Sequence, residues 1–192
     1  ATGCRCLLGF SGSLFPTSVA PYYGGSCEKD ITWQDVELTS NGLESLLLAL
    51  PRTKIRALDL SKSTWVPKRA KLLADAIPRS RVTDLIMDYT DLDDHNFAFL
   101  AKVLSESNLQ SLRLRYSFLN LNVLALKELA VHLPKSHLKE LNLFHSFHWE
   151  GIQAQANIFE DFAASLAKSQ LKELTFGGYG LAKEDVRELV EG

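Results

Sequence analysis

A six-residue phrase with apolar residues at its first, fourth and sixth positions recurs along this chain, and the recurrence constrains the fold more than any other feature. The copies are Ile55/Leu58/Leu60, Val82/Leu85/Met87, Leu109/Leu112/Leu114, Leu138/Leu141/Leu143 and Leu171/Leu174/Phe176. They start at intervals of 27, 27, 29 and 33 residues. Trp33/Val36/Leu38 reads as a degenerate sixth copy, 22 residues ahead of the first. Each phrase predicts a short strand with one buried face.

A helical pattern is locked to the strand phrase. Five residues before each phrase, an i, i+3, i+4, i+7 stripe ends. The stripes are Leu43/Leu46/Leu47/Leu50, Ala70/Leu73/Ala74/Ile77, Phe97/Leu100/Ala101/Leu104, Leu126/Leu129/Ala130/Leu133 and Phe159/Phe162/Ala163/Leu166. Apolar residues at that spacing lie on one side of a helix. The third stripe position is Ala in all but the first, which lets helix and strand approach closely. Pro51, Pro78 and Pro134 directly follow a last stripe residue, where the helix must stop. Ser105 and Ala167-Lys168-Ser169 take that place in the other two units. A last short helix is expected to bury Val186, Leu189 and Val190.

One strand plus one helix cannot bury its own apolar stripe, so the units must stack. The expected fold is α/β, with parallel strands in one layer and helices in the other. Helices are about 10 Å wide and strands about 4.8 Å apart, so the stack is expected to curve with its strands inside.

The phrases and stripes from about Trp33 to Gly192 resemble the leucine-rich-repeat family, in its ribonuclease-inhibitor-like class. That resemblance implies a curved solenoid with parallel strands on the concave face and helices on the convex face. The chain departs from the family at one position. Where the family has Asn three residues after the last strand leucine, here stand Ser63, Thr90, Ser117, Ser146 and Tyr179. Ser and Thr satisfy fewer backbone groups than Asn. The expected domains are an N-terminal cap segment, 1–32, and a repeat domain, 33–192, with five clear repeats and one degenerate one. In the cap, Leu7, Leu8 or Phe10 is expected to cover the first unit.

The 192 residues are 46% hydrophobic and 23% charged, with a formal net charge of -2, as in a soluble globular protein. That balance offers no basic surface for nucleic acid. No apolar run approaches the roughly 20 residues of a membrane span, and no cleavable signal peptide is expected. Cys4, Cys6 and Cys27 all lie near the start. One bridge, Cys4 or Cys6 to Cys27, suits a cap; free thiols in a reducing, cytoplasmic setting are the favoured reading.

The sequence carries no persuasive catalytic or cofactor constellation, so no enzyme, metal or cofactor is expected. His145-x-x-His148 has no third ligand nearby except Glu150. Cys27 has no evident His/Asp setting for nucleophilic attack. Asp91, Asp93 and Asp94 precede a helix and read as capping residues. Gly177-Gly178-Tyr179-Gly180 lacks the Lys-Ser/Thr of a phosphate loop.

The residues between the phrase leucines point to a binding face. The fifth positions are Asp59, Ile86, Arg113, Asn142 and Thr175; the seventh are Ser61, Asp88, Arg115, Phe144 and Gly177; the eighth are Lys62, Tyr89, Tyr116, His145 and Gly178. Tyr and Arg dominate binding energy at many interfaces. The spacing from the core position after the strand to the first helix-stripe residue grows from 5 (Trp65 to Ala70, Leu92 to Phe97) to 7 (Leu119 to Leu126) and then 11 (His148 to Phe159), which places an insertion in the strand-to-helix loop beside Phe144-His145-Ser146-Phe147-His148-Trp149. There, Phe147 or Trp149 is expected to turn inward in place of the leucine that His148 displaces. The expected partner-binding residues are Tyr89, Arg113, Arg115, Tyr116, Phe144, His145 and Trp149. The expected function is a monomeric, non-enzymatic module that binds a protein through its concave surface and adjacent loops. The alternative is a regulatory adaptor, GTPase-activating or ubiquitin-ligase-linked, such as a secreted microbial effector.

Overall fold

The computed structural model describes residues 31–32, 40–117, 123–147 and 158–178. Six strands alternate with five helices among them: β1 (Ile31–Thr32), α1 (Ser40–Ala49), β2 (Ala57–Asp59), α2 (Pro67–Ala76), β3 (Asp84–Ile86), α3 (Asp94–Leu104), β4 (Ser111–Arg113), α4 (Val123–His132), β5 (Glu140–Phe144), α5 (Ile158–Ala167) and β6 (Glu173–Gly177). The strands form one sheet in sequence order, and every neighbouring pair is parallel. The expected α/β fold with parallel strands is therefore present.

The register follows the phrase. Leu58 lies opposite Leu85, Leu85 opposite Leu112, Leu112 opposite Leu141, and Leu141 opposite Leu174. The first four are buried, whereas Leu174 is only half-buried. Leu174 was expected to be buried like the others. Among the described residues β6 pairs with β5 alone, so its leucine lacks a second flanking strand. The helix stripes pack on the same core: Leu43, Leu47, Leu50, Leu73, Ile77, Phe97, Leu104, Leu126, Leu129, Leu133 and Phe162 are all buried there.

The first strand lies five residues earlier than the degenerate phrase suggests. Ile31 lies opposite Leu58, which keeps the 27-residue step. Counting back by that step from Ile55 gives Glu28, a polar residue at the first phrase position, so the apolar signature is broken there. Trp33, Val36 and Leu38 lie outside the described residues, as do the cap residues 1–30, the three cysteines and the last expected helix.

Each helix ends in a hydroxyl-bonded turn. Leu50–Arg52, Ile77–Arg79 and Leu133–Lys135 tighten into 3-10 turns around Pro51, Pro78 and Pro134. Two residues before each strand phrase stands Thr53, Ser80, Ser107, Ser136 or Ser169. The hydroxyls of Thr53, Ser80, Ser136 and Ser169 donate to the last helical carbonyls, those of Leu50, Ile77, Leu133 and Leu166. All five accept from the amide two residues on, at Ile55, Val82, Leu109, Leu138 and Leu171. Orphan carbonyls at a helix end and the first strand amide are thus satisfied by one side chain. Because Ser136 is fully buried, Ser136→Ala is expected to lower stability by about 1 kcal/mol. Urea unfolding of the two proteins side by side measures this, and no difference would mean the hydroxyl is dispensable.

The Ser/Thr column that stands in for Asn does bridge units. The Ser117 hydroxyl donates to the Met87 carbonyl and accepts weakly from the Thr90 amide. The Ser146 hydroxyl donates to the Leu114 carbonyl. Asp93 caps α3 by accepting from the Asn96 amide, as its position before the helix suggested. Asp91 does something else: its carboxylate accepts from the Trp65 amide of the preceding unit.

Candidate functional site

The site begins with a backbone feature repeated in four units. Lys62, Tyr89, Tyr116 and His145, all at the eighth phrase position, have φ between 54° and 60°. Left-handed backbone costs a side-chain-bearing residue about 1–2 kcal/mol. Here it turns the chain off the strand while the parallel ladder continues. The amides of Lys62, Tyr89, Tyr116 and His145 donate to the carbonyls of Asp88, Arg115, Phe144 and Gly177 in the next unit. Each such bond contributes about 0.5–1.5 kcal/mol, which nearly offsets the strain.

Ring stacking then tips the balance at the aromatic positions. Tyr89 and Tyr116 stack with centroids 4.9 Å apart and planes 11° apart. Tyr116 and His145 stack at 5.2 Å and 10°. The Phe144 ring stands edge-on to both Tyr116, at 5.7 Å, and His145, at 4.3 Å. Aromatic pairs contribute about 0.5–1.5 kcal/mol beyond their buried area. Tyr89 is nonetheless 55% exposed and Tyr116 37%. Relieving the backbone strain should therefore help only where no ring is lost. Lys62→Gly is expected to stabilise the protein by up to about 1 kcal/mol, and Tyr116→Gly to give no gain. Thermal melts of both variants check the contrast.

Beside the ladder lies a shallow groove lined by Asp59, Ser61, Lys62, Asp88, Tyr89, Arg113 and Arg115. Its floor is a hydrogen-bonded chain that crosses units. Asp59 accepts from the Ser61 amide at 3.0 Å and from its hydroxyl at 2.6 Å. The Ser61 hydroxyl accepts from the Asp88 amide at 3.1 Å. Asp88 accepts from the Arg115 amide at 2.9 Å, and from Arg115 Nε and Nη2 at 3.0 and 2.8 Å. This hydrogen bond, reinforced by the carboxylate's charge, holds the Arg115 guanidinium above its ordinary pKa, although burial pulls the other way. Arg113 Nε also lies 2.9 Å from Asp88 Oδ2. Its N–H is not aimed at that oxygen, so the contact is an ion pair by distance and leaves Nε without a hydrogen bond.

The structure thus gathers Tyr89, Arg113, Arg115, Tyr116, Phe144 and His145 on one face, as their columns suggested. Trp149 and His148 lie outside the described residues, with most of the long strand-to-helix loop. Phe147 is buried, so of the two candidates it is the one seen to turn inward. Asp59, Ser61, Lys62 and Asp88 complete the groove and were not among the expected binding residues. They sit in the same three columns as the arginines and tyrosines, and that shared column was the signal. Among the described residues no group of three or more His, Cys, Asp or Glu is placed to hold a metal ion. Nor is any helix there long and apolar enough to cross a membrane.

These features define an α/β domain of stacked strand–helix units with an aromatic and charged face at the ends of its strands. Solved structures with this fold exist. One is leiomodin-1 actin-binding site 2, with a TM-score of 0.62 and 17% identity, covering 80% of this chain and 88% of that one. Another is a tropomodulin C-terminal domain from Caenorhabditis elegans, with a TM-score of 0.56 and 14% identity, covering 78% and 89%. No family model matches the chain. No curated protein matches it either.

The comparison corrects the expected family. The chain is similar in fold to tropomodulin and leiomodin domains rather than to leucine-rich-repeat proteins of the ribonuclease-inhibitor-like class, and the solenoid implied by that resemblance falls with it. The physical reason is that the phrase and stripe report which faces of a strand and helix are buried. Any stacked strand–helix domain needs that pattern. The residue that would have marked the class, the ladder Asn, is the one this chain lacks.

Proposed function

We propose that this chain is a non-enzymatic protein-binding module, and that it binds through the strand-end face carrying Tyr89, Tyr116, Arg113 and Arg115. One observation carries the reading: two exposed tyrosines are stacked face to face beside two guanidiniums. Aromatic rings lose little conformational entropy on binding, and tyrosine and arginine are among the residue types most often found at interface hot spots. In this proposal the face is the inner one of a curved sheet, because helices are about twice as wide as the strand spacing.

Actin is the first partner to test, since leiomodin-1 actin-binding site 2 has this fold. Co-sedimentation with actin filaments and native gel shift with actin monomers measure this directly. Binding by the wild type, and its loss in a Tyr89→Ala/Tyr116→Ala protein that still folds, would support the proposal. Binding that survives the double change would remove this face from it.

A further inference from the structure

The groove beside Tyr89 presents its charges unequally. Its two carboxylates, Asp59 and Asp88, are 5% and 3% exposed. They are also engaged internally, Asp59 by Ser61 and Asp88 by Arg115. The Arg113 and Arg115 side chains are 35% and 39% exposed, and Lys62 is exposed as well. An approaching molecule therefore meets cations, with the compensating anions sealed beneath them.

The pairing is also incomplete. One carboxylate, Asp88, serves two guanidiniums. Arg115 takes the two-pronged contact, whereas Arg113 meets Asp88 only through its buried Nε, at ion-pair distance, and keeps a side chain that is 35% exposed toward the groove. A guanidinium is matched best by a carboxylate of its own, bound through two parallel N–H groups. We propose that the groove binds an acidic segment of a protein partner, one carboxylate docking on Arg113 beside Arg115 while the neighbouring side chain packs against Tyr89. This rests on the reading of the face as the protein-binding surface and adds the chemistry of what it takes. A basic segment is disfavoured because the carboxylates that would receive it are buried and occupied.

The test uses the full chain and fluorescent oligo-glutamate peptides, with glutamine and lysine versions as controls, read by anisotropy. The glutamate peptide is expected to bind at least about tenfold more tightly than the glutamine version, and to weaken as salt rises. Arg113→Gln should lower its affinity about tenfold or more, while Arg115 still holds Asp88. Arg113→Lys should restore only part of that loss, because a lysine keeps the charge without the fork. Lys102→Gln, on α3, should change nothing. Should Arg113→Gln fail to fold, Asp88→Asn supplies the second arm: it removes the internal competitor, and glutamate-peptide affinity should rise. Equal binding of the glutamine peptide, no effect of Arg113→Gln, or no gain with Asp88→Asn overturns the proposal. So does full displacement by inorganic phosphate at the peptide's own concentration, which marks a general anion site. A partner that is lost with Tyr89→Ala/Tyr116→Ala but kept with Arg113→Gln leaves the protein-binding reading standing and removes only this one.

Discussion

Leu112→Ala is expected to destabilise the protein by about 2–5 kcal/mol. Leu112 is buried on β4, in register with Leu85 on one side and Leu141 on the other. Truncation removes its transfer free energy and leaves a cavity that neighbours on both sides cannot close without moving the ladder. Leu174→Ala should cost clearly less, because that leucine is only half-buried on a strand with one described neighbour. Chemical denaturation with a shared slope measures both. A Leu112→Ala cost below about 1 kcal/mol, or one no larger than that of Leu174→Ala, would contradict a core continuous through the middle units.

The second large effect is on binding. Changing Tyr116 and Arg113 together to alanine should weaken a bound protein partner by about 2 kcal/mol or more. Tyr116 holds the middle of the stack, so its loss takes a stacking partner from both Tyr89 and His145. Alanine at φ 54° is no more strained than tyrosine there, so the readout is not confounded by new backbone strain. Exposed Lys71 on α2 and Lys102 on α3 lie on the helix layer, and alanine at either should change affinity by less than about 0.5 kcal/mol. Calorimetric titration against the partner, with melting curves for each variant, decides the matter. If the helix-side changes abolish binding and the paired change does not, the binding face is on the helices.

Much of this architecture was legible because burial imposes a period. The leucines of β2 to β5 and the stripes of α1 to α5 could be assigned by counting, since each must face one core. The column residues could be assigned too, because strand neighbours in register share a face. What escaped the reading had no periodic apolar signature. The strand at Ile31–Thr32 was missed because Glu28 replaces the apolar residue that opens the phrase. The left-handed turn was invisible because Lys, Tyr, Tyr and His do not advertise positive φ; Gly178 alone in that column hints at it. The hydroxyls from Thr53 to Ser169 were in plain phase with the strands, and their helix-ending role needed only the question of where the last carbonyls go. The family could not be read at all from leucine spacing, since that spacing answers to packing and not to descent.

The ladder also acts as a ruler. Its rungs are 4.9 and 5.2 Å apart. Side chains on one edge of an extended peptide recur about every 6.7 Å. Like the two scales of a vernier, these come back into step only after roughly 20 Å, farther than Tyr89, Tyr116 and His145 together reach. A strand laid across the rungs can therefore seat one residue in phase and no more. If the proposed face takes an extended peptide, selectivity would therefore be concentrated at a single point of entry, set by what the partner places there.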